Sequence, residues 1–301
     1  MSLVLENMWD ALLACREAVA AAEPEVRAWE FDLQDGGKWG FRASESAQGW
    51  RIEPTHLACD LESPCPPDLQ ALGLAGLYVR LLHGVHQARR AGKLFVTVHV
   101  AQSIDGRIAT VTGDSQWIGN AANLVHAHRL RALHDGILVG ANTVRRDAPR
   151  LTVRHCAGKN PIRVVLAGRQ PLATDGFTDR KDGAPTWVLG PEPPSAQGPD
   201  VEWLPVASPS ETQMLVVADV VRTLQARDMT SLMIEGGSST ISQFLAAGRV
   251  DELQIHVAPI ILGSGIPTLQ LPEIQRLREA PQFEAQTYDL AGERLYTLQP
   301  R

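Results

Sequence analysis

The chain has 301 residues, of which 44% are hydrophobic and 21% charged, and its formal net charge at pH 7 is −6. This length predicts two domains, because one hydrophobic core usually serves about 100 to 200 residues. The negative charge argues against non-specific binding to nucleic acid, which depends on neutralising phosphates. No apolar run approaches the roughly 20 residues that span a bilayer, and no secretory signal is recognised. We therefore expect a cytoplasmic protein that binds neither nucleic acid nor a membrane.

Residues 1–91 have the pattern of a small α+β domain. Apolar residues spaced three and four apart predict an amphipathic helix from Leu3 to Ala22. Three short segments rich in aromatic and β-branched residues then predict an antiparallel meander. These segments run from Val26 to Leu33, from Lys38 to Arg42 and from Trp50 to Ile52. After a proline-rich connector, Asp68 is placed to cap a second helix that runs to about Arg90.

Three residues of this domain, His56, Cys59 and Cys65, are candidates for a metal site. Zinc sites of the deaminase or zinc-finger type use cysteine pairs at close spacing, whereas five residues separate Cys59 from Cys65. We therefore expect no metal in this domain. The four cysteines of the chain are too scattered for a disulfide framework, so we interpret them as reduced thiols.

From about Gly92 onward, short apolar runs alternate with helical patterns, which indicates an α/β layer fold over residues 92–301. The predicted boundary is Ala91-Gly92, where the helical pattern stops. The predicted strands are Leu94 to Val100, Gly136 to Val139, Arg163 to Leu166, Thr186 to Leu189, Ser231 to Ile234 and Gln254 to Ile261. The predicted helices are Ala121 to Leu133, Met214 to Ala226 and Thr240 to Ala247, the last ended by Gly248. The segment from Gly190 to Pro209, rich in proline, serine and glycine, is predicted to be a surface loop.

A strand, two glycines and a helix follow one another from Ile234 to Thr240. Backbone N–H groups and the helix dipole at such a turn can face a pyrophosphate, and Gly236 and Gly237 allow a close approach. The chain contains no G-x-G-x-x-G, so a Rossmann cradle is excluded. Taken alone, the turn is compatible with a purely structural role as well as with a phosphate site.

Three other segments have a characteristic order and spacing: VHVAQSIDGRIA at 98–109, GDSQWI at 113–118 and GANTVRRDAPRLTVR at 140–154. Together with IEGGSS at 234–239 and APIILGS at 258–264, they resemble the reductase domain of bacterial riboflavin biosynthesis. The resemblance covers about residues 92–301. It implies a dihydrofolate-reductase-like three-layer fold with a mostly parallel sheet, here preceded by the small α+β domain, and it implies NADPH as cofactor and a homodimer.

On the cofactor side, the resemblance carries over to Ala101, Trp117, Thr143 and Asp147. It also carries over to the glycine turn, at Gly236, Gly237, Ser238 and Ser239. The plainer interpretations are core packing for Trp117 and helix capping for Thr143. Gly168 stands where the family usually has a serine that touches the adenosine 2′-phosphate, although Arg169 could supply a cation there. The preference for NADPH over NADH is therefore implied by the resemblance and not by these residues.

On the substrate side, the matching residues are Ser115, Arg131, Leu151, Arg154 and Glu235. Two converging arginines suit a phosphorylated substrate, since guanidinium groups bind phosphate oxygens in pairs. Glu235, assigned as the catalytic residue, could hydrogen-bond a pyrimidine N–H or amino group, or assist proton delivery.

The resemblance implies a reductase that converts the ribosylamino side chain of 5-amino-6-(5-phosphoribosylamino)uracil to a ribitylamino chain, by hydride transfer to C1′ of the open-chain imine. Because a fold does not fix a substrate, two alternatives stay open. One is a divergent reductase of another pterin or pyrimidine. The other is a regulatory protein that keeps the nucleotide pocket without turnover.

Overall fold

The computed structural model describes residues 3–21, 26–45, 51–53, 56–116, 118–168, 172, 183–193, 201–208 and 215–301. The chain divides into two compact units, Met1–Lys93 and Leu94–Arg301. The predicted boundary at Ala91-Gly92 lies just ahead of that division. Within the described ranges, none of the helices is both long and apolar enough to cross a membrane.

The first unit combines two helices with a four-stranded antiparallel sheet of order β2-β1-β4-β3. Its elements are α1 (Leu3–Ala21), β1 (Ala28–Leu33), β2 (Trp39–Ser44), β3 (Arg51–Ile52), β4 (His56–Asp60), a 3-10 helix (Pro67–Leu72) and α2 (Leu74–Arg90). Helix α1 buries Leu5, Met8 and Leu12, which recur every three or four residues and so share one face. This unit therefore has a hydrophobic core of its own.

Three details of the first unit differ from the sequence prediction. The predicted meander is wrong, because β3 pairs with β4 and not with β2. The strand β4 was not predicted, because His-Leu-Ala-Cys-Asp contains no β-branched residue; the sheet places it between β1 and β3. Helix α2 begins at Leu74, after Gly73, so the prediction that Asp68 caps it is wrong. Asp68 instead lies within the preceding 3-10 helix.

Helix α2 ends where the sequence predicted, and its end has a clear geometry. Gly92 has φ +64°, its N–H donates to the Arg89 carbonyl at 2.9 Å, and the Lys93 N–H donates to the Ala88 carbonyl at 2.8 Å. This pair of bonds is a Schellman motif, in which a left-handed residue satisfies the last helical carbonyls. Gly248 ends a helix of the second unit through the same two bonds, to Leu245 and Phe244.

The second unit is built on a nine-stranded sheet of order β10-β9-β8-β7-β11-β5-β12-β15-β14. Its strands are β5 (Phe95–Ser103), β6 (Arg107–Ala109), β7 (Gly136–Gly140), β8 (Ile162–Leu166), β9 (Thr186–Gly190), β10 (Val201–Pro205), β11 (Ser231–Glu235), β12 (Glu252–Ala258), β13 (Ile266–Pro267), β14 (Phe283–Leu290) and β15 (Glu293–Pro300). Its helices are α3 (Ala121–Leu133), α4 (Ala141–Asp147), α5 (Val217–Gln225), α6 (Ser238–Ala246) and a short 3-10 helix (Leu277–Glu279). Neighbouring strands from β10 to β12 are parallel, while β15 and β14 are antiparallel. The predicted α/β fold with a mostly parallel sheet is confirmed.

The two faces of the central strand β5 show why the unit has three layers. Val96, Val98 and Val100 belong to a buried cluster that also contains Leu224 of α5 and Phe244 of α6. Successive side chains of a strand point to opposite faces, so Thr97 and His99 point the other way. Their hydroxyl and imidazole groups bond to His134 and Asn123, at 2.9 and 3.0 Å. Helices α5 and α6 therefore cover one face and α3 the other.

The predicted surface loop from Gly190 to Pro209 is wrong in part. Residues 201–205 form β10, which pairs in parallel with β9 and lies at the edge of the sheet. An edge strand tolerates the proline at its end, Pro205, because one side of it forms no ladder bonds. The predicted strand to Ile261 stops at Ala258, just before Pro259. The hairpin of β14 and β15 was not predicted.

We predict that Phe244→Ala destabilises the second unit by about 3 to 5 kcal/mol, because the ring is 0% exposed and its removal leaves a cavity in the core. Denaturant unfolding followed by fluorescence measures the change. Leu277→Ala is the matched control, since Leu277 is 86% exposed and its loss should change the free energy of unfolding by less than about 0.5 kcal/mol. Equal effects of the two substitutions would contradict the core assignment.

Candidate active site

The candidate site lies where three neighbouring parallel strands end. Strand β11 lies between β7 and β5, so the carboxyl ends of all three meet at one edge of the sheet. In open α/β sheets, ligands bind at this edge. A cavity of about 990 Å³ opens there. Of the predicted site residues, Ala101, Ser115, Thr143, Asp147, Glu235, Gly236, Gly237, Ser238 and Ser239 line it, and so does Gly168.

The turn between β11 and α6 forms one wall of this cavity. Gly236 and Gly237 have φ of +92° and +76°, a backbone conformation that favours glycine. Gly237 occupies the N-cap position of α6. It has no side chain, so none at this position accepts a hydrogen bond from the first N–H groups of the helix. The Ser238 hydroxyl is buried and has no hydrogen-bond partner among the described residues. The wall therefore offers several donors to an anionic ligand.

This turn lies close to the turn that follows β7, and Gly140 permits the approach. A Cβ atom at Gly237 would lie 3.6 Å from the Thr143 hydroxyl of α4, and a Cβ atom at Gly140 would lie 2.8 Å from the Thr240 hydroxyl of α6. The second distance is too short for a real contact, so Gly140 allows the starts of α4 and α6 to approach each other. Thr143 consequently faces the glycine turn across a narrow gap.

Glu235, the last residue of β11, forms an ion pair with Arg131 of α3. The Arg131 Nε and Nη2 atoms donate to the two carboxylate oxygens at 2.9 and 2.5 Å. The side chains are 8% and 26% exposed, with Glu235 the more open and in the cavity wall. Burial raises the pKa of Glu235, but the charge and hydrogen bonds of Arg131 lower it more, so that the pKa lies below the ordinary 4.5. At neutral pH Glu235 is therefore a carboxylate that accepts hydrogen bonds.

Arg131 and Arg154 meet at the carbonyl of Thr152, which accepts from their Nη1 atoms at 3.0 and 3.5 Å. The two guanidinium groups therefore lie close together, but neither lines the cavity, and their binding of a substrate phosphate stays a prediction. Leu151 is buried beside them with φ +53°, a conformation rare for leucine. Leu151, like the arginines, lies outside the cavity wall.

His99 and Asn123 line the cavity and were not predicted as site residues. His99 pairs with Glu235 across β5 and β11, and its Nε2–H donates to Asn123 Oδ1 at 3.0 Å. Burial lowers the pKa of His99 to about 4, although the charge of Glu235 opposes this. A neutral imidazole thus lies next to the carboxylate. Only the strand pairing brings them together, so no local sequence signal could have revealed the pair.

Trp117 and Arg169 lie outside the described residues. Burial raises the pKa of Asp147, against the opposing charge of Arg146.

The candidate metal ligands of the first unit lie apart. His56 and Cys59 are three positions apart on β4 and so point to opposite faces, and His56 Nδ1 is 2.5 Å from Asp32. Among the described residues, no group of three or more His, Cys, Asp or Glu side chains is arranged to hold a metal ion.

The fold and the site together define an α/β protein with a candidate dinucleotide site at the carboxyl ends of its central strands. A family model described as the RibD C-terminal domain matches residues 94–289. The chain belongs to this family. It is 34% identical over 205 residues to the riboflavin biosynthesis protein RibD of Bacillus amyloliquefaciens, covering 65% of this chain and 54% of that protein.

The match extends over a larger share of the shorter relatives. The chain is 30% identical over 216 residues to the 2,5-diamino-6-ribosylamino-4(3H)-pyrimidinone 5′-phosphate reductase of Aquifex aeolicus, covering 67% of this chain and 94% of that enzyme. By contrast, it spans about half the length of the RibD proteins that it matches, with 54% and 48% covered for the Bacillus and Aquifex proteins.

Solved structures agree with the fold. A Thermotoga maritima diaminohydroxyphosphoribosylaminopyrimidine deaminase/5-amino-6-(5-phosphoribosylamino)uracil reductase has a TM-score of 0.64 at 21% identity, over 97% of this chain and 99% of that chain. A riboflavin biosynthesis reductase from Saccharomyces has a TM-score of 0.58 at 23% identity, over 70% and 91%. At these identities the likeness concerns the fold alone.

We predict that Arg131→Ala destabilises the protein by about 3 kcal/mol, because it leaves the Glu235 carboxylate partly buried without its partner. Denaturant unfolding at pH 7 measures the change. Arg222→Ala, which breaks an exposed ion pair with Asp219 in which the arginine is 76% exposed, is the control and should cost less than about 1 kcal/mol. A loss for Arg131→Ala no larger than the control would show that the pair contributes little to stability.

We also predict that the free energy of unfolding falls between pH 7 and pH 5. In the unfolded chain a histidine takes up a proton near pH 6.5, whereas folded His99 stays neutral until its pKa of about 4. Proton binding therefore favours the unfolded state below pH 6.5. Protonation of His99 in the unfolded chain should by itself lower the free energy of unfolding by roughly 2 kcal/mol at pH 5. Urea unfolding at both pH values of the native chain and of His99→Gln is the measurement. An equal pH dependence in the two proteins would contradict the burial of a neutral His99.

Proposed function

We propose that the chain is a nicotinamide-dependent reductase of riboflavin biosynthesis that acts on a phosphorylated ribosylaminopyrimidine. The observation that carries this proposal is one cavity in which an uncapped glycine turn faces a threonine and adjoins an ionised carboxylate. The reductase relatives, matched over most of their length, support the same activity.

The glycine turn fits a dinucleotide cofactor. Gly236 and Gly237 leave the backbone open, and the unpartnered Ser238 hydroxyl offers a buried donor. These groups would hold a pyrophosphate, while Thr143, Asp147 and Ala101, with Trp117, would line the rest of the cofactor site. When bound, NADPH supplies a hydride. The protein orients the reacting groups and restricts water around them.

The arrangement of Glu235 favours one of its two predicted roles. A carboxylate whose pKa lies below 4.5 is a poor proton donor at neutral pH but a good acceptor for the N–H and amino groups of an aminopyrimidine. We propose that Glu235 orients the pyrimidine from the cavity wall and that Ser115, which also lines the cavity, contacts the substrate. Arg131, Leu151 and Arg154 would complete the substrate side, Arg131 chiefly by holding Glu235.

Two substrates are consistent with the relatives. One is the uracil form, 5-amino-6-(5-phosphoribosylamino)uracil, and the other is the diaminopyrimidinone form that the reductase relatives are named for. NADPH is the proposed cofactor. Because Gly168 has no side chain to contact the 2′-phosphate, the preference for NADPH over NADH is to be measured. The homodimer and the cytoplasmic location stay predictions from the sequence.

The direct test is to follow NADPH oxidation at 340 nm with each phosphoribosylamino substrate in turn. We expect turnover of at least one of them, and no turnover of dihydrofolate. NADPH binding without oxidation in the presence of either substrate would favour the regulatory alternative over a reductase.

We predict that Gly237→Val weakens NADPH binding at least tenfold, because a side chain there lies between Thr143 and Thr240 and blocks the backbone approach. Gly248→Val is the matched control. Gly248 also has a positive φ, of +60°, but a Cβ atom there meets nothing within 4 Å and the residue does not line the cavity. Fluorescence titration measures both dissociation constants. An equal loss of NADPH affinity in the two variants would show that backbone strain causes the effect, and not the position of Gly237 in the cofactor site.

A further inference from the structure

Arg146, in the last turn of α4, lines the cavity and has no assigned function. The side chain is exposed, and within the described part of the chain it donates no hydrogen bond, although its charge lowers the pKa of the neighbouring Asp147. Arg131, which holds Glu235, and Arg145, which also lines the cavity, differ from it. Arg131 is paired with Glu235 at 2.5 Å, and the Arg145 Nη1 atom donates to Asn142 Oδ1 at 2.9 Å.

The position of Arg146 depends on Gly113, which has φ +91°. A Cβ atom at Gly113 would lie 2.6 Å from Arg146 Nη1, closer than any real contact. The guanidinium therefore occupies the space that a side chain at position 113 would fill. Gly113 also lines the cavity, two residues before Ser115. The absence of a side chain at Gly113 lets the arginine cross from the helix to this loop.

Helical spacing relates Arg146 to the glycine turn. Thr143 precedes it by three residues, and residues three apart share a helix face. Thr143 faces Gly237, where a Cβ atom would be 3.6 Å away. Arg146 therefore lies one turn farther along the same face, between the glycine turn and the loop that carries Ser115.

The charge around Arg146 is opposite to that of the whole chain. Residues 141–159 contain five cationic residues, Arg145, Arg146, Arg150, Arg154 and Lys159, against one acidic residue, Asp147, in a chain of net charge −6. A local excess of positive charge beside a cavity attracts anions. A guanidinium group also matches the geometry of phosphate oxygens.

We propose that Arg146 binds a phosphate group of the ligand that occupies this cavity, and that it thereby determines specificity for phosphorylated ligands. The proposal rests on the proposed reductase function for the identity of the ligand. The phosphate can belong to the substrate or to the dinucleotide, since Arg146 lies between the two proposed sites.

The test compares Arg146→Ala with Arg150→Ala, which removes the same charge from an exposed residue that does not line the cavity. Dissociation constants for NADPH and NADH come from fluorescence titration, and kcat/KM is measured with the phosphorylated substrate and its dephosphorylated analogue. We expect Arg146→Ala to lose about tenfold to a hundredfold for the ligand whose phosphate it holds.

The ligands for which affinity or kcat/KM falls identify the phosphate that Arg146 binds. A loss confined to the phosphorylated substrate indicates the substrate phosphate, and a loss confined to NADPH indicates the 2′-phosphate. Equal losses for NADPH and NADH indicate the pyrophosphate. Arg146→Lys, which keeps the charge without the planar group, should recover part of the loss.

Calorimetric titration with inorganic pyrophosphate gives a readout that needs no turnover, so failure of the reductase assay would not leave Arg146 untested. Weaker binding by Arg146→Ala than by Arg150→Ala would support the proposal. If the two variants agree within about twofold for every ligand, including pyrophosphate, Arg146 is a solvated surface charge and the proposal is wrong.

Discussion

Arg131 contacts Glu235 across 104 positions of the sequence, and the candidate site is arranged around this contact. The arginine comes from α3, which covers one face of the sheet, and the glutamate ends the strand β11. The same guanidinium also bonds to the Thr152 carbonyl. One charged group thus fixes a helix, a strand and the segment after α4 in relation to one another, and it keeps the carboxylate ionised where it meets the cavity. Removing either partner would change both the geometry and the protonation of the site.

The sheet order provides the second constraint. Because β11 lies between β7 and β5, the segments that follow these strands must open at the same edge. Two of the segments start helices whose first turns are close together, which Gly140 permits. The third continues from β5 toward the loop with Gly113 and Ser115. The cavity is therefore a consequence of strand order combined with the close approach that Gly140 permits.

Local sequence signals predicted those parts of the molecule that local physics determines. Gly92 and Gly248 end their helices because a left-handed residue satisfies the last carbonyls, and the apolar runs at 136–139 and 231–234 form buried parallel strands. The glycine turn could be recognised because strand, glycines and helix are adjacent in sequence. The edge strand at 201–205 could not be recognised from the sequence. Its composition resembles that of a loop, and only its pairing with β9 makes it a strand. Likewise, His99 and Arg146 become cavity residues only through strand register and the space at Gly113.

Arg131 holds Glu235 as an ionised hydrogen-bond acceptor in the wall of the cavity. The most direct measurement is an NMR titration of the Glu235 side-chain carboxyl, labelled with carbon-13 and assigned by its absence in Glu235→Gln. We predict a pKa below the ordinary 4.5 in the native chain, and a higher pKa in Arg131→Met, where burial acts without the compensating charge. A Glu235 pKa above 4.5 in the native chain, or one that Arg131→Met leaves unchanged, would contradict the account.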